Sequence, residues 1–270
     1  MPTEQGRASK RADGPTSEAA EGSGVSRDRR VDVLGVGFDR VGLRGALERV
    51  LERHAAGERT FIITANPEFV MLARHDRELA GVAREAHLVV ADGAGILVAS
   101  RLLGDPLPAR VPGRFLVQAI LPRLAALGAP VFLLGAGPGV ADRAAETLRR
   151  RVPGIRIAGT DTGSPDDDAT VARVAAARPR VLLVAYGMPR QERWLARNLP
   201  RLESVKVAIG VGGVFDQLAG RVRLPPRLVY ALGFEWLRRL AFEPRRWRRQ
   251  RVLPLFVAHV LLERARHGAR

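Results

Sequence analysis

Residues 61–73 read FIITANPEFVMLA, and residues 87–96 read HLVVADGAGI. Each stretch is a short apolar run that stops at a polar residue and continues into a pattern typical of a helix start. In the first stretch, Asn66 can cap a helix and Pro67 suits its first position. In the second stretch, Asp92 ends the apolar run and two glycines follow it. Two such strand-to-helix units in succession predict an α/β protein with a parallel sheet.

The polar residues at these two strand ends are the first candidates for a functional site. Parallel strands all end at the same edge of their sheet, and α/β proteins bind ligands at that edge. We therefore expect Thr64, Asn66 and Asp92 to share one crevice. A carboxylate in such a crevice can act as a general base. Asn66 and Asp92 could instead be helix caps, which is the commoner role, and the pattern alone leaves both interpretations open.

Strands continue to alternate with helices as far as residue 223. Further strands are predicted at residues 31–37, 131–139 (including a glycine turn), 156–159, 181–186 and 205–211. This alternation predicts a mainly parallel, Rossmann-like, doubly wound sheet over residues 31–223. Residues 1–30 show no apolar period and are expected to be a disordered leader. Residues 224–270 are expected to form a basic helical appendage.

Composition limits the possible partners and sites. The chain has 270 residues, a net charge of +16 and no cysteine, which excludes disulfides and thiolate metal sites. No apolar run reaches the roughly 18 residues of a membrane span, so a soluble or peripheral protein is expected. Residues 221–270 hold thirteen arginines and three glutamates, a net charge of +10. This cluster predicts an anionic partner such as a lipid surface, a diphosphate or a nucleic acid.

The glycine turn after residue 134 has two interpretations. Backbone amides near Gly135 and Gly137 could face a nucleotide phosphate, or the glycines could simply form a tight turn. The run is similar to a dinucleotide-binding fingerprint, but Val140 replaces its third glycine. A nicotinamide-dependent oxidoreductase therefore stays as an alternative function, although no histidine or cysteine lies in a recognisable active-site motif.

Five motifs taken together resemble one known family. They are TANPEFVMLAR (64–74), ADGAGI (91–96), AYGMPRQERWL (185–195), GVGGVFD (210–216) and GFEWLRRLAFEPRRWRR (233–249). In this order and spacing they are similar to the WecG/TagA/CpsF family of bacterial glycosyltransferases, over roughly residues 31–251. The resemblance implies transfer of N-acetylmannosamine, or a related hexosamine, from a UDP-sugar to a polyprenyl-diphosphate-linked sugar in the synthesis of a cell-surface polysaccharide.

The resemblance also implies roles for individual residues. Asp92 would be the catalytic base, assisted by Thr64, and one base with direct displacement implies inversion at the anomeric carbon. Substrate-binding residues would be Asn66, Arg110, Gly135, Gly137, Tyr186, Gln191 and Asp216. Arg238, Arg245 and Arg248 would serve the acceptor and the membrane. The chain departs from the family at Pro112 and at Phe115, where an acidic residue is usual.

The expected surroundings follow from the same resemblance. The protein is expected to be cytoplasmic and peripheral on the inner face of the plasma membrane, bound through its basic tail to anionic lipid. No cofactor or metal is expected, because Asp166, Asp167 and Asp168 have the appearance of a helix start rather than a metal motif. The basic tail could instead be solvated rather than bound to lipid, with its apolar residues packed in the protein core. A nucleic-acid-binding protein is a further alternative, but aromatic residues make up only 5% and no nucleic-acid module is visible. The sequence leaves open whether the protein forms a homo-oligomer.

Overall fold

The computed structural model describes residues 30–222 and 251–268. In this part of the chain, six parallel strands form the main sheet and two antiparallel strands form a hairpin. The strands are β1 (Val31–Val33), β2 (Val36–Phe38), β3 (Thr60–Ala65), β4 (Leu88–Ala91), β5 (Val131–Gly135), β6 (Ile157–Asp161), β7 (Val181–Ala185) and β8 (Val207–Gly210). Their order in the main sheet is β4-β3-β8-β7-β5-β6. The predicted α/β, Rossmann-like, doubly wound architecture is confirmed.

Helices pack on both faces of this sheet. They are α1 (Leu43–Ala55), α2 (Pro67–His75), α3 (Arg77–Glu85), α4 (Ala94–Leu102), α5 (Gly113–Ala126), α6 (Val140–Arg151), α7 (Asp168–Ala176), α8 (Arg190–Asn198), α9 (Val214–Leu218) and α10 (Val252–Gly268), with a short 3-10 helix at Leu199–Arg201. Successive strand residues enter two separate buried clusters: Ile62 lies in one and Ile63 in the other. Because both faces are covered, the strands read as continuous apolar runs.

Strand order explains how distant motifs meet. β3 and β4 pair in register, and the backbone N–H of Asp92 donates to the carbonyl oxygen of Ala65 at 2.8 Å. Asn66 and Asp92 therefore leave the sheet side by side. β8 lies on the other side of β3 and joins it to β7. The strand ends near Thr64 and Tyr186 thus come to the same edge of the sheet.

The predicted first strand, residues 31–37, is instead a hairpin outside the main sheet. Leu34 and Gly35 form its turn with φ angles of 55° and 90°. The side chain of Asp32 accepts a hydrogen bond from the Gly35 N–H at 3.0 Å. A two-residue turn of this kind requires positive φ, for which Asn-Gly and Asp-Gly are the usual signals. Leucine in the first position is not such a signal, so the apolar run hides the turn.

The two ends of the chain are only partly described. Residues 1–29 of the predicted leader lie outside the described residues, but Arg30 is anchored, with an ion pair to Asp39 at 3.2 Å. The predicted boundary at residue 223 also lies outside them and stays a prediction. The last helix, α10, is part of the domain core, because Phe256 and Val260 are 3% and 2% exposed and belong to the same buried cluster as β3.

Candidate functional site

A cavity of about 620 Å³ opens at the carboxyl edge of the sheet. Its wall is built by the ends of β3, β4, β7 and β8, by the starts of several helices, and by the first residues of α10. Seven of the predicted site residues line it, namely Thr64, Asn66, Asp92, Arg110, Tyr186, Gln191 and Asp216. The fold therefore gathers motifs from across the chain around one cavity.

Asp92 does not cap the helix that follows it. Gly93, with a φ of 114°, is the N-cap residue of α4, and no side chain caps that helix. The Oδ2 of Asp92 instead accepts a hydrogen bond from the backbone N–H of Gly113, the first residue of α5, at 3.2 Å. The partial positive charge at this helix N-terminus stabilises the carboxylate. The alternative interpretation of Asp92 as the cap of α4 is therefore wrong.

Asn66 does cap a helix. Its Oδ1 accepts a hydrogen bond from the Phe69 N–H at 2.9 Å, at the first turn of α2. Because Asn66 also lines the cavity, its side-chain amide nitrogen is the atom suited to donate to a bound ligand. The cap interpretation and the substrate-binding interpretation are therefore compatible for this residue.

Gly113 links the two predicted catalytic residues. Its N–H contacts Asp92, and a Cβ added to it would stand 3.0 Å from the Oγ1 of Thr64 and 3.2 Å from its Cγ2. The start of α5 therefore rests directly on the Thr64 side chain, which leaves little space for any residue but glycine. The sequence signal for this contact was a glycine placed directly after Pro112 at a helix start, and it did not indicate which residues the glycine would touch.

Two arginines belong to the cavity wall near α5. Arg110 was predicted from the sequence, whereas Arg114 was not. The guanidinium carbon of Arg114 lies 4.3 Å from the centre of the Phe115 ring, which is a cation–π contact. Phe115 is the position at which the chain departs from the expected acidic residue, and here it supports a cation. Two guanidinium groups in one wall suit a diphosphate, which arginine binds in a bidentate manner.

Tyr186 stands at the end of β7 and is held from three sides. Its hydroxyl donates to the carbonyl oxygen of Gly163 at 2.7 Å, and its ring meets Trp194 edge-on with centroids 5.9 Å apart. A Cβ added to Gly135 would stand 2.9 Å from the Cδ1 of Tyr186. Burial raises the pKa of the phenol well above its ordinary value, so the hydroxyl stays a neutral donor. Because Gly135 has no side chain, it makes room for the Tyr186 ring.

The predicted nucleotide contacts of Gly135 and Gly137 are not supported by this cavity. Neither glycine is among the residues that line it. The nearest side-chain atom to a Cβ added at Gly137 would be the Nη1 of Arg221, at 3.5 Å. A direct contact between these glycines and a nucleotide stays a prediction.

Gln191 and Glu192 lie in the first turn of α8 and are nearly fully buried, with 5% and 3% of their surfaces exposed. The Nε2 of Gln191 donates to the Oε1 of Glu192 at 2.8 Å. The Oε1 of Gln191 accepts a hydrogen bond from the Gly212 N–H at 3.0 Å. Burial raises the pKa of Glu192 to about 7, and the hydrogen bond from Gln191 opposes this shift. The sequence did not indicate Glu192, because a glutamate in the first turn of a helix is an ordinary response to the helix dipole.

The structure describes only some of the other predicted site residues. Asp216 lies on α9 and lines the cavity. Arg238, Arg245 and Arg248 fall in 223–250, outside the described residues. Across 30–222 and 251–268, no cluster of three or more His, Asp or Glu side chains could hold a metal ion.

Comparison with known proteins adds independent information. The sequence profile described as the glycosyl transferase WecG/TagA/CpsF family matches residues 31–270. A protein of Bacillus spizizenii (strain W23), named N-acetylglucosaminyldiphosphoundecaprenol N-acetyl-beta-D-mannosaminyltransferase, is 36% identical over 202 residues, which cover 74% of this chain and 78% of the relative. A protein of Staphylococcus aureus (strain MRSA252) with the same name is 34% identical over 236 residues, which cover 86% of this chain and 92% of the relative. All the stretches that line the cavity lie within the profile match.

Proposed function

Because this chain belongs to the WecG/TagA/CpsF family of glycosyl transferases, we propose that it transfers N-acetylmannosamine from a UDP-sugar to N-acetylglucosaminyldiphosphoundecaprenol. The names of the relatives support this choice of sugar and acceptor. The structural observation that carries the proposal is the shared cavity, in which Asp92 lies with Arg110 and Arg114 at the carboxyl edge of the sheet. A step of this kind belongs to the synthesis of a cell-surface polysaccharide.

In the proposed reaction, a hydroxyl of the acceptor sugar attacks the anomeric carbon of the donor. Asp92 accepts the hydroxyl proton as the new carbon–oxygen bond forms. The bond between the anomeric carbon and the diphosphate oxygen breaks, and its electron pair leaves with UDP. A single displacement of this kind inverts the anomeric carbon. Thr64 orients a substrate by a hydrogen bond, which supplies rate by positioning.

The leaving UDP gains negative charge, which the cavity wall can stabilise. Arg110 and Arg114 bring two positive charges to this wall, and positive charges aimed at a leaving diphosphate stabilise the charge that develops in the transition state. The proposal therefore includes no metal ion and no other cofactor.

Donor binding gives the first test. UDP-N-acetylmannosamine at about 100 times its Kd should stabilise the native protein by about 2.7 kcal/mol. For a domain of this size that corresponds to a rise in Tm of roughly 5–10 °C. Differential scanning fluorimetry measures it, with NADH and a short DNA duplex as comparison ligands. Stabilisation by NADH or DNA, with none by the UDP-sugar, would support one of the alternative functions instead.

We also propose that the protein is cytoplasmic and binds the inner face of the plasma membrane through α10. The side of α10 that faces away from the core carries side chains that are 51–57% exposed, namely Leu255, Val257, Leu261 and Leu262. No helix in the described ranges is long and apolar enough to cross a bilayer. A helix with one apolar exposed face, next to an arginine-rich segment, can lie in the interface of an anionic membrane.

This docking predicts a loss of vesicle binding in a surface variant. Replacing Leu261 and Leu262 by glutamine should weaken binding to vesicles of phosphatidylcholine and phosphatidylserine about 10-fold, because two leucines no longer enter the lipid. Leu127→Gln is a matched control, since Leu127 is 62% exposed at the end of α5 and far from α10 along the chain. Co-sedimentation measures the effect. Equal binding by the double variant and the wild type would contradict docking through α10.

A further inference from the structure

One buried acid of the cavity has no part in the reaction described above. Glu192 lines the cavity and is 3% exposed. Its Oε2 is buried and has no hydrogen-bond partner among the described residues. A buried polar atom without a partner is unfavourable unless a ligand or water satisfies it. The position of Glu192, directly beside Gln191, suggests what it does.

The other oxygen of Glu192 holds one end of the Gln191 side-chain amide, and the Gly212 N–H holds the other. Because Glu192 Oε1 accepts from the amide nitrogen of Gln191, the amide oxygen points at the Gly212 N–H. Turning the Gln191 amide over would place its oxygen against the Oε1 of Glu192 and its N–H groups against the N–H of Gly212. Each polar atom of Gln191 keeps one further hydrogen-bonding capacity for a ligand. Glu192 and the Gly212 N–H therefore together fix which of them acts as donor and which as acceptor.

Gly210 makes this arrangement possible. A Cβ added there would stand 2.6 Å from the Gln191 Nε2 and 2.8 Å from its Cδ. The Gln191 amide is thus packed directly on the backbone of β8, and it cannot move aside towards the sheet.

We propose that Glu192 is a positioning residue for the sugar-nucleotide donor, which holds the Gln191 amide in one orientation and is protonated when the anionic diphosphate of the donor is bound. This inference rests on the proposed function, because it takes the anionic ligand to be a UDP-sugar. Glu192 acts through Gln191 and takes no proton from the substrates.

Charge explains why the protonated form is favoured. Burial raises the pKa of Glu192 to about 7, and no neighbouring charged side chain contributes to this shift. A diphosphate in the cavity carries negative charge, which disfavours ionisation of a nearby carboxyl and raises its pKa further. Because the donor then binds the protonated form of Glu192 more tightly, its affinity is highest at a pH below the pKa of Glu192. The affinity falls as the pH rises through that pKa.

The other titratable groups around α8 do not replace Glu192 in this role. β8 consists of Val, Ala, Ile and Gly and carries none. On α8 and the elements beside it, the charged and titratable groups include Arg190, Arg193 with its ion-pair partners Asp76 and Glu78, Arg197, Arg201 and Tyr186. Glu68, Asp92, Arg110, Arg114 and Asp216 line the same cavity. Of the carboxyl groups among them, only that of Glu192 belongs to a residue that is nearly fully buried, at 3% exposure, and this burial is what raises its pKa to about 7.

The test measures the Kd of UDP-N-acetylmannosamine by calorimetry from pH 6 to pH 9 with the full chain. If the donor raises the pKa of Glu192 by about one unit, the wild-type Kd should be about 10-fold weaker at pH 9 than at pH 6. Glu192→Gln keeps an oxygen for the Gln191 amide and cannot ionise, so its Kd should stay flat. Glu146→Gln changes an exposed residue of α6 and should keep the wild-type slope.

A second variant tests the orientation of Gln191. Glu192→Met fills the space but offers no acceptor, so the KM for the donor should rise about 5–10-fold at every pH, with a smaller change in kcat. A wild-type slope in Glu192→Gln, or a wild-type KM in Glu192→Met, would overturn the proposal. If Glu192→Met does not fold, the slope of Glu192→Gln decides alone. Failure of the wild type to bind any UDP-sugar would overturn the proposed function instead.

Discussion

Replacing Asp92 by asparagine is expected to lower kcat by about 10²–10⁴-fold in a protein that stays folded. Asparagine has nearly the same shape, and its Oδ1 can still accept the hydrogen bond that Asp92 receives from Gly113 at 3.2 Å. The substitution therefore removes the proton acceptor and keeps the contact with the start of α5. Release of UDP from the donor in the presence of a short-chain lipid-linked acceptor measures kcat, and the KM for the donor should change little.

Thr64→Val is the matched comparison for this prediction. Valine keeps the branched shape that packs on Gly113 but loses the hydroxyl, so turnover should fall only about 10-fold, as for a lost orienting hydrogen bond. Unfolding curves of both variants check that the fold is intact. Near-normal turnover in Asp92→Asn would leave Asp92 with a structural role only, as the partner of the first N–H of α5.

Replacing Phe256 by alanine is expected to destabilise the whole α/β domain by about 3–5 kcal/mol. Its side chain is 3% exposed and lies in the same buried cluster as Phe69 of α2 and Ile63 of β3. Truncation to alanine therefore leaves a cavity in the core on one face of the sheet. The midpoint of urea unfolding, at an unchanged m-value, measures the loss.

The neighbouring residue provides the control. Leu255 is 57% exposed, so Leu255→Ala should change the free energy of unfolding by no more than about 0.5 kcal/mol. Small and equal effects of both substitutions would mean that α10 is an appendage that the domain does not need. A chain ending at Gly220 would lose Phe256 and Val260 together, so truncation is expected to damage the core as well as membrane binding.

Local signals carried the successful part of the sequence-based prediction. An apolar run followed by Asn66 and Pro67 predicted the start of α2, because the N-cap and first helical positions have strong local preferences. The end of β4 at Asp92 was predictable for the same reason. Once the sheet was known to be parallel, the meeting of these two strand ends followed from topology.

Contacts between distant residues account for what the sequence did not indicate. The contact of Gly113 with both Thr64 and Asp92 depends on where α5 returns to the sheet. The burial of Glu192 depends on how α8 packs against β8, from which Gly210 presents a bare backbone. The first arrangement leaves only a glycine at a helix start as a local signal, and the second leaves none. The hairpin turn was missed for a different reason, since Leu34 takes a conformation that its residue type rarely adopts.

The central position of β8 has a consequence for synthesis on the ribosome. Among the strands of residues 30–222 and 251–268, β8 is the last to be translated, yet it lies between β3 and β7. Until it emerges, each half of the sheet presents an unpaired apolar edge, which is a template for aggregation. At about 5–20 residues per second, the interval between the synthesis of β3 and that of β8 is roughly 7–30 s. The two walls of the cavity therefore come together only when β8 is inserted between β3 and β7.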